Sequence, residues 1–477
     1  MGEFEPVFFL ILQQITIMTT TIKIKQGLDI KLKGKAERSV EIAPSGLFAL
    51  QPTDFIGVLP RLLVQEGDAV EVGTPLFQDK HDERFLFTSP VKGVVKEIRR
   101  GEKRLLQAVV IDCRDAIHRV SDSNSNPISD AMNRVSTERE AIIQKMLETG
   151  LWPMIRQRPY SVIANPDTMP KAFFVSGFDT HPLAPDLDFI VEHFPDSFQK
   201  GLEILSILSG KKVHLCVHAE KTVSEVLLKA KNVTIHTFSG PHPSGNIGTQ
   251  INKICPINKG ELVWYCSLQD VVNIGHYFRT GELDFSRIYA VAGSGLKNPH
   301  YIKTKIGVQI SALTSGNLKD NHCRLISGNV LTGKKVSEND FVGFYHNMVS
   351  VIPEGDNRQE MFGWIWPGFK KFSVSRTFPS AFVPNVLCPD YELDTNTHGE
   401  ERPYVVSGEF EKVFPFDIYP LQLIKACIVE DIDLMENLGI YEVDEEDFAL
   451  CEFIDTSKTD IQQIIRKGLD LVRKENE

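Results

Sequence analysis

KAFFVSGFD at Lys171–Asp179, KVHLCVHA at Lys212–Ala219 and VTIHTFSG at Val233–Gly240 are short apolar runs at a regular rhythm. Between them, Ser197–Leu208 carries apolar residues at helical spacing and Thr222–Ala230 is a second helix candidate. Strand, helix, strand, helix, strand predicts a largely parallel sheet covered by helices. Function in such sheets gathers on loops beyond the carboxyl ends of the strands.

Two of those loops stand out. The first strand runs into DTHPLAP at Asp179–Pro185, whose two prolines forbid helix, and the third into GPHPSGNIG at Gly240–Gly248. Both leave one sheet at the same end, so Asp179, His181, Pro182, Gly240, His242 and Gly245 are candidates to shape a shared crevice. The two histidines read either as ligands and acid–base groups or as hydrogen-bonded loop residues. Downstream, Glu261–Leu268 predicts a strand, Asp270–Phe278 a helix and Ile288–Gly293 a further strand of the core. Neither G-x-G-x-x-G nor G-x-x-x-x-G-K-[ST] is present, which weighs against a dinucleotide or ATP site.

Upstream, Thr137–Thr149 predicts a helix with Thr137 and Glu140 as a capping box, leading into Gly150, Leu151 and Trp152, then Arg156, Arg158, Pro159 and Tyr160. Trp152, Arg156 and Arg158 read equally as a lid over the sheet edge or as a packed corner. Ser121–Pro127 reads as a linker. Val58–Asp112 is a series of short strands broken by Gly and Pro turns, an antiparallel sandwich. Its turns resemble those of biotinyl and lipoyl carrier domains, with Lys80 near the modified hairpin; the longer charged tip HDER at 81–84 favours a scaffold that never carries the group. Lys92, Lys96, Arg99, Arg100, Lys103 and Arg104 form a basic cluster, either a solvated face or a docking surface. Thr20–Ile30 alternates with period two and predicts a strand or hairpin packed on the domain that follows. Residues 1–17 read as an appendage or as sequence upstream of a start at Met18.

Beyond the core, Lys305–Leu313, Cys323–Leu331 and the run to Pro353 suggest a small mixed or antiparallel β domain, followed by an aromatic-rich stretch from Trp364 to Phe382. Leu421–Leu438, Glu445–Phe453 and Ile461–Val472 are helical in period. Eleven acidic residues and no Lys or Arg lie between Glu430 and Asp455, a solvated acidic surface or a mate for a basic partner.

A chain of 477 residues exceeds one core, and 42% apolar residues suffices for several. A formal charge of -11 argues against nucleic acid as a partner. The eight cysteines, at 113, 216, 255, 266, 323, 388, 427 and 451, form no CxxC and read as buried side chains. No run reaches the ~18 apolar residues of a membrane span.

Family-like blocks recur along the chain: KQGLDI at 25–30, FTSPVKGVV at 87–95, RGEKRLLQAVVI at 100–111, GLW at 150–152, DTHPLAPD at 179–186, FSGPHPSGNIGT at 238–249, LQDVVNIG at 268–275, ISGNVLTG at 326–333 and VDEEDFALC at 443–451. In this order they resemble the A subunit of bacterial Na⁺-translocating NADH:quinone reductases. The resemblance implies an α/β multidomain fold: a biotinyl/lipoyl-like β-sandwich (18–120, after the 1–17 appendage), a linker and helix (121–160), a Rossmann-like parallel-sheet core (161–300), a small β-grasp-like domain (301–375) and a connecting segment with a C-terminal helical domain (376–477). It further implies a peripheral location on the cytoplasmic face of the bacterial inner membrane, joined to five other subunits and chiefly to the membrane-embedded B subunit. The complex uses NADH, FAD, FMN, riboflavin, iron–sulfur, ubiquinone and Na⁺, while this chain binds no cofactor or metal itself and is inactive alone. Trp152, Arg156, Arg158 and the two strand-end loops are then the candidates for shaping the quinone site. The alternatives are a purely structural docking component of the complex, or a free flavin- or NADH-dependent oxidoreductase.

Overall fold

Phe173–Ser176, Val213–His218 and Val233–Ser239 form as parallel neighbours, with Phe174 opposite His214 and Leu215 opposite Ile235. Two apolar faces on each strand explain the continuous hydrophobic runs. The structure, a computed structural model, describes residues 21–43, 46–114, 135–356, 371–375 and 390–476. The linker at Ser121–Pro127, the segment 1–17, Cys388 and all of the aromatic stretch but 371–375 lie outside the described residues.

The three strands belong to a seven-stranded sheet ordered Ile22–Lys23, Val233–Ser239, Val213–His218, Phe173–Ser176, Val263–Cys266, Arg156–Arg158, Val162–Ile163. Its first five strands are parallel, and the last two turn antiparallel. Helices Pro195–Ser209 and Leu268–Thr280 cover one face, and Ile247–Ile254 packs on the other through Ile251 against Phe174 and Tyr265. The helix Leu268–Thr280 starts on a capping box between Ser267 and Asp270 and stops at Gly281 in the left-handed region. It approaches its neighbour closely because Gly201 and Gly275 face each other's backbone: a Cβ at Gly275 would stand 1.8 Å from the Ser197 carbonyl oxygen.

The strand Ser286–Ala292, read from sequence as part of this core, instead sits in a second, mixed six-stranded sheet between Met348–Pro353 and His300–Lys305. That sheet also takes in Glu37–Ile42 at one edge and Cys323–Ser327 with Lys334–Val336 at the other. The N-terminal unit is an antiparallel pair of curled sheets of four and three strands. Phe55, Phe77 and Phe87 fill its centre, the last two stacked at 4.6 Å.

Two other expectations are corrected. Of the strand or hairpin expected over Thr20–Ile30, the described residues 21–30 form the strand, Ile22–Lys23, and no hairpin; it pairs with Phe238–Ser239 of the α/β sheet rather than with the next unit. Gly27 is there for close approach, since a Cβ would lie 2.1 Å from the His242 carbonyl. The first helix runs Val135–Glu148, so Thr137 lies inside it and is not its cap. The C-terminal unit is helical as expected: Pro420–Ile428, Ile432–Asn437, Ala449–Ile454 and Ile461–Asn476 share a core of Leu423, Ile424, Phe448, Ile465 and Leu469. Among the described residues no helix is long and apolar enough to cross a membrane.

Candidate functional site

The strand Arg156–Arg158 lies antiparallel to Val263–Cys266, with Arg156 opposite Tyr265. Alternation along a strand sends Arg156 and Arg158 to the same face, where the C-terminal unit docks. Arg158 is fully buried. Its Nη1 donates to Asp447 Oδ2 and its Nη2 to Glu446 Oε1, both at 2.6 Å, and Asp444 stands 3.9 Å away. Gly248 makes room for this pair, because a Cβ there would lie 2.3 Å from Asp447 Oδ1. Arg466 Nη1 donates to the Tyr160 carbonyl at 3.0 Å and reaches Asp444 at 3.4 Å. Tyr265 donates to Ser161, which in turn donates to Asp444.

Part of the acidic run is therefore spent inside the molecule rather than solvated, with Asp444 and Asp447 both buried. Burial opposes ionisation of Asp444, yet Arg158 and Arg466 hold its carboxyl below the usual range. Five carboxylates, those of Asp444, Glu445, Glu446, Asp447 and Asp470, crowd these two guanidinium groups, and the surplus shows elsewhere. Burial and the charge of Asp444 push Glu445 up to about 7, and burial pushes Asp447 up to about 7 against the pull of Arg158.

Arg156 is held differently. Its guanidinium lies 4.7 Å from the Tyr265 ring centroid and 4.3 Å from that of Tyr345, whose hydroxyl is fixed on the Pro153 carbonyl at 2.7 Å. It remains partly open to solvent, and among the described residues its side chain has no hydrogen bond or ion pair.

The two strand-end loops do converge. His181 Nδ1 is 2.6 Å from Asp179 Oδ1, and the His181 ring lies 4.7 Å from that of His242. Thr180 Oγ1 joins the loops, 3.1 Å from His242 Nδ1 and accepting from the Gly245 backbone at 2.9 Å. Burial works against a proton on His181, but Asp179 outweighs it and raises the imidazole's pKa; the same contact lowers that of Asp179. His242 is pushed well below the ordinary range by burial and by His181. The charge of Glu446 also acts on His181, tying this group to the arginine strand. Pro182 is buried beside it, and Gly240 is needed where a Cβ would meet the Ile24 carbonyl at 2.2 Å.

Trp152 is not brought to this place. It is fully buried, donates to the Ala164 carbonyl at 2.7 Å and packs edge-on against Trp264, so it is a packed corner. Sequence reading missed the roles of Tyr265, Tyr345, Asp444, Glu446 and Asp447; the charge density of DEED at 444–447 and the block VDEEDFALC at 443–451 marked the acidic segment without giving it a partner. Among the described residues no group of three or more His, Cys, Asp or Glu is placed to hold a metal, and the cysteines are free thiols. In the basic cluster, Lys92 pairs with Glu71 and Arg99 with Glu97.

Three family models match the chain: "NqrA N-terminal barrel-sandwich hybrid domain" over residues 22–114, "NqrA second alpha/beta domain" over 137–283 and "NQRA C-terminal domain" over 288–338. Two solved structures of an NAD⁺-reducing [NiFe]-hydrogenase, H2-reduced and air-oxidized, are 11% identical, with TM-scores of 0.32 and 0.35 over 46% and 70% of this chain and 48% and 61% of theirs. Those likenesses are too slight to bear on the fold. The A subunit of the Na(+)-translocating NADH-quinone reductase of Neisseria meningitidis is 38% identical over 456 residues, covering 95% of this chain and 100% of the relative. That of Yersinia pseudotuberculosis is 37% identical over 460 residues, with the same coverage. Identity of this extent over the relatives' whole length shows that the chain belongs to the family of A subunits of Na(+)-translocating NADH-quinone reductases.

Proposed function

We propose that the chain is a peripheral subunit, on the cytoplasmic face of a bacterial inner membrane, of a Na⁺-translocating NADH:ubiquinone oxidoreductase. Its part there is to shape the quinone-reduction site against a membrane-embedded partner, leaving the redox groups to the other subunits. The observation that carries this reading is the end-to-end match to the A subunits of Neisseria and Yersinia. The geometry adds that the α/β unit serves as a scaffold for the chain itself: Asp444, Glu446 and Asp447 of the C-terminal unit are engaged at Arg158, and Asp447 lies against Gly248. The N-terminal sandwich and the second sheet serve in this reading as lipoyl-like and β-grasp-like docking modules around a Rossmann-like centre.

The test compares the assembled complex with the same complex stripped of this chain. Loss of quinone-dependent turnover, with NADH oxidation by an artificial electron acceptor retained, is the expected result. Undiminished quinone turnover without the chain would reject the reading.

A further inference from the structure

The acidic run from Glu430 to Asp455 divides in two. Asp444, Glu446 and Asp447 are engaged at Arg158. Glu430, Asp431 and Asp433 are exposed at an outer corner of the C-terminal unit, and among the described residues none of them is paired with a lysine or arginine. Glu436, just beyond, is taken by Lys259, and Lys425 is the one cation on the two helices that form the corner.

Those helices are Pro420–Ile428 and Ile432–Asn437. Their inner faces, through Leu423, Ile424, Cys427 and Met435, belong to the unit's core. Their outer side carries Ile428, Val429 and Leu434, exposed by 47%, 68% and 42%. A lone exposed apolar side chain is ordinary, but a group of them at one turn, rimmed by charge, marks a contact surface. The turn is a Schellman close: the Asp431 N–H donates to the Ala426 carbonyl at 3.1 Å and the Glu430 N–H to the Cys427 carbonyl at 3.3 Å. Its left-handed position, ordinarily glycine, is held by Glu430 at a φ of 57°. Glycine would relax this backbone; glutamate instead sets a charge at the apex, beside Val429.

We infer that this corner docks a cationic amphipathic helix of a partner protein, with the helix's apolar stripe on Ile428, Val429 and Leu434 and its lysines or arginines against Glu430, Asp431 and Asp433. The chemistry of the surface selects that class. Unpaired carboxylates repel nucleic acid and anionic lipid headgroups. The apolar side chains offer nothing to a hydrated metal ion, for which no group of three ligands is placed among the described residues. Basic side chains flanking an apolar stripe match both halves of the surface at once. The surface is independent of the quinone reading, because it concerns what the C-terminal unit holds and not what the complex reduces.

The test is fluorescence anisotropy on the full chain with two labelled helical peptides, one of leucine and lysine at amphipathic spacing and one with glutamate in place of lysine. The chain should bind the first and not the second. Glu430→Lys with Asp433→Lys, and separately Val429→Ser with Leu434→Ser, should each weaken that binding about tenfold. Only the difference made by the charge pair should shrink in high salt. Glu430→Gly separates docking from folding, because it should keep or raise the midpoint of thermal unfolding while still weakening the peptide. Binding that survives all of these variants, or that does not distinguish the two peptides, would overturn the inference. Self-association of the wild-type chain that the same variants abolish would give the corner to a second copy and overturn it as well.

Discussion

Arg158 without its guanidinium would leave Asp447, a buried carboxylate whose Oδ1 has no partner, with only the Asp444 backbone N–H on its Oδ2. Breaking one side of a buried pair costs roughly 3–5 kcal/mol, most of it the uncompensated charge that remains. Arg158→Met should therefore lose stability on that order in urea denaturation, and Asp447→Asn combined with it should recover part of the loss; no recovery in the double variant would show that the pair is not the source. Asp447 also shows what the sequence hides at this scale. Its hydrogen bond to Arg158 joins positions 289 apart, and neither periodicity nor turn chemistry reports on contacts of that span. Asp179 and His181 are legible because they are neighbours on one loop whose position follows from the strand before it.

Where helix meets helix, Gly201 and Gly275 let the backbones of Pro195–Ser209 and Leu268–Thr280 touch. Alanine at 275 gains about 1 kcal/mol of helix propensity but puts a methyl group into the Ser197 carbonyl, and overpacking of a buried seam costs roughly 1–3 kcal/mol. The seam cannot yield by turning a side chain, so Gly275→Ala should lower the midpoint of thermal unfolding, whereas Gly46→Ala, with nothing near its Cβ, should leave it unmoved. Both helices and the strands they cover are readable, since each carries a sustained apolar pattern. The strand Arg156–Arg158 is not: three residues, two of them charged, give no alternation to detect, and its place follows only from pairing with Val263–Cys266. Ser286–Ala292 reads as a strand but not as a strand of its own sheet, because an apolar run announces burial and not which neighbour it pairs with.

Across the whole molecule, docking of the C-terminal unit on the α/β unit should depend on pH. Glu445 and Asp447, both about 7 in the fold, hold protons that the unfolded chain releases near pH ~4. Stability from these groups is therefore complete below the unfolded value and is lost as pH rises through about 7. His181, raised by Asp179, acts in the same direction. The histidines lowered by burial, His214, His236, His242 and His346 among them, act oppositely, and because the unfolded imidazole is still half protonated at about pH 6.5 their effect fades only above about pH 7.5. The carboxylates are therefore read by difference: between about pH 5 and 8 the denaturation midpoint of Glu445→Gln should fall less, or rise more, with pH than that of the wild-type chain, and identical pH profiles would contradict the burial of this carboxylate.

The opening segment of the chain finishes two sheets, one through Ile22–Lys23 and the other through Glu37–Ile42. Thr21 meets Thr237 216 positions later, so at about 5–20 residues per second of synthesis a ribosome would hold the first strand waiting for about 10–40 s. During that interval Ile22–Lys23 stays without a partner outside the exit tunnel, and the sheet edge formed by Val233–Ser239 stays bare until that strand docks on it.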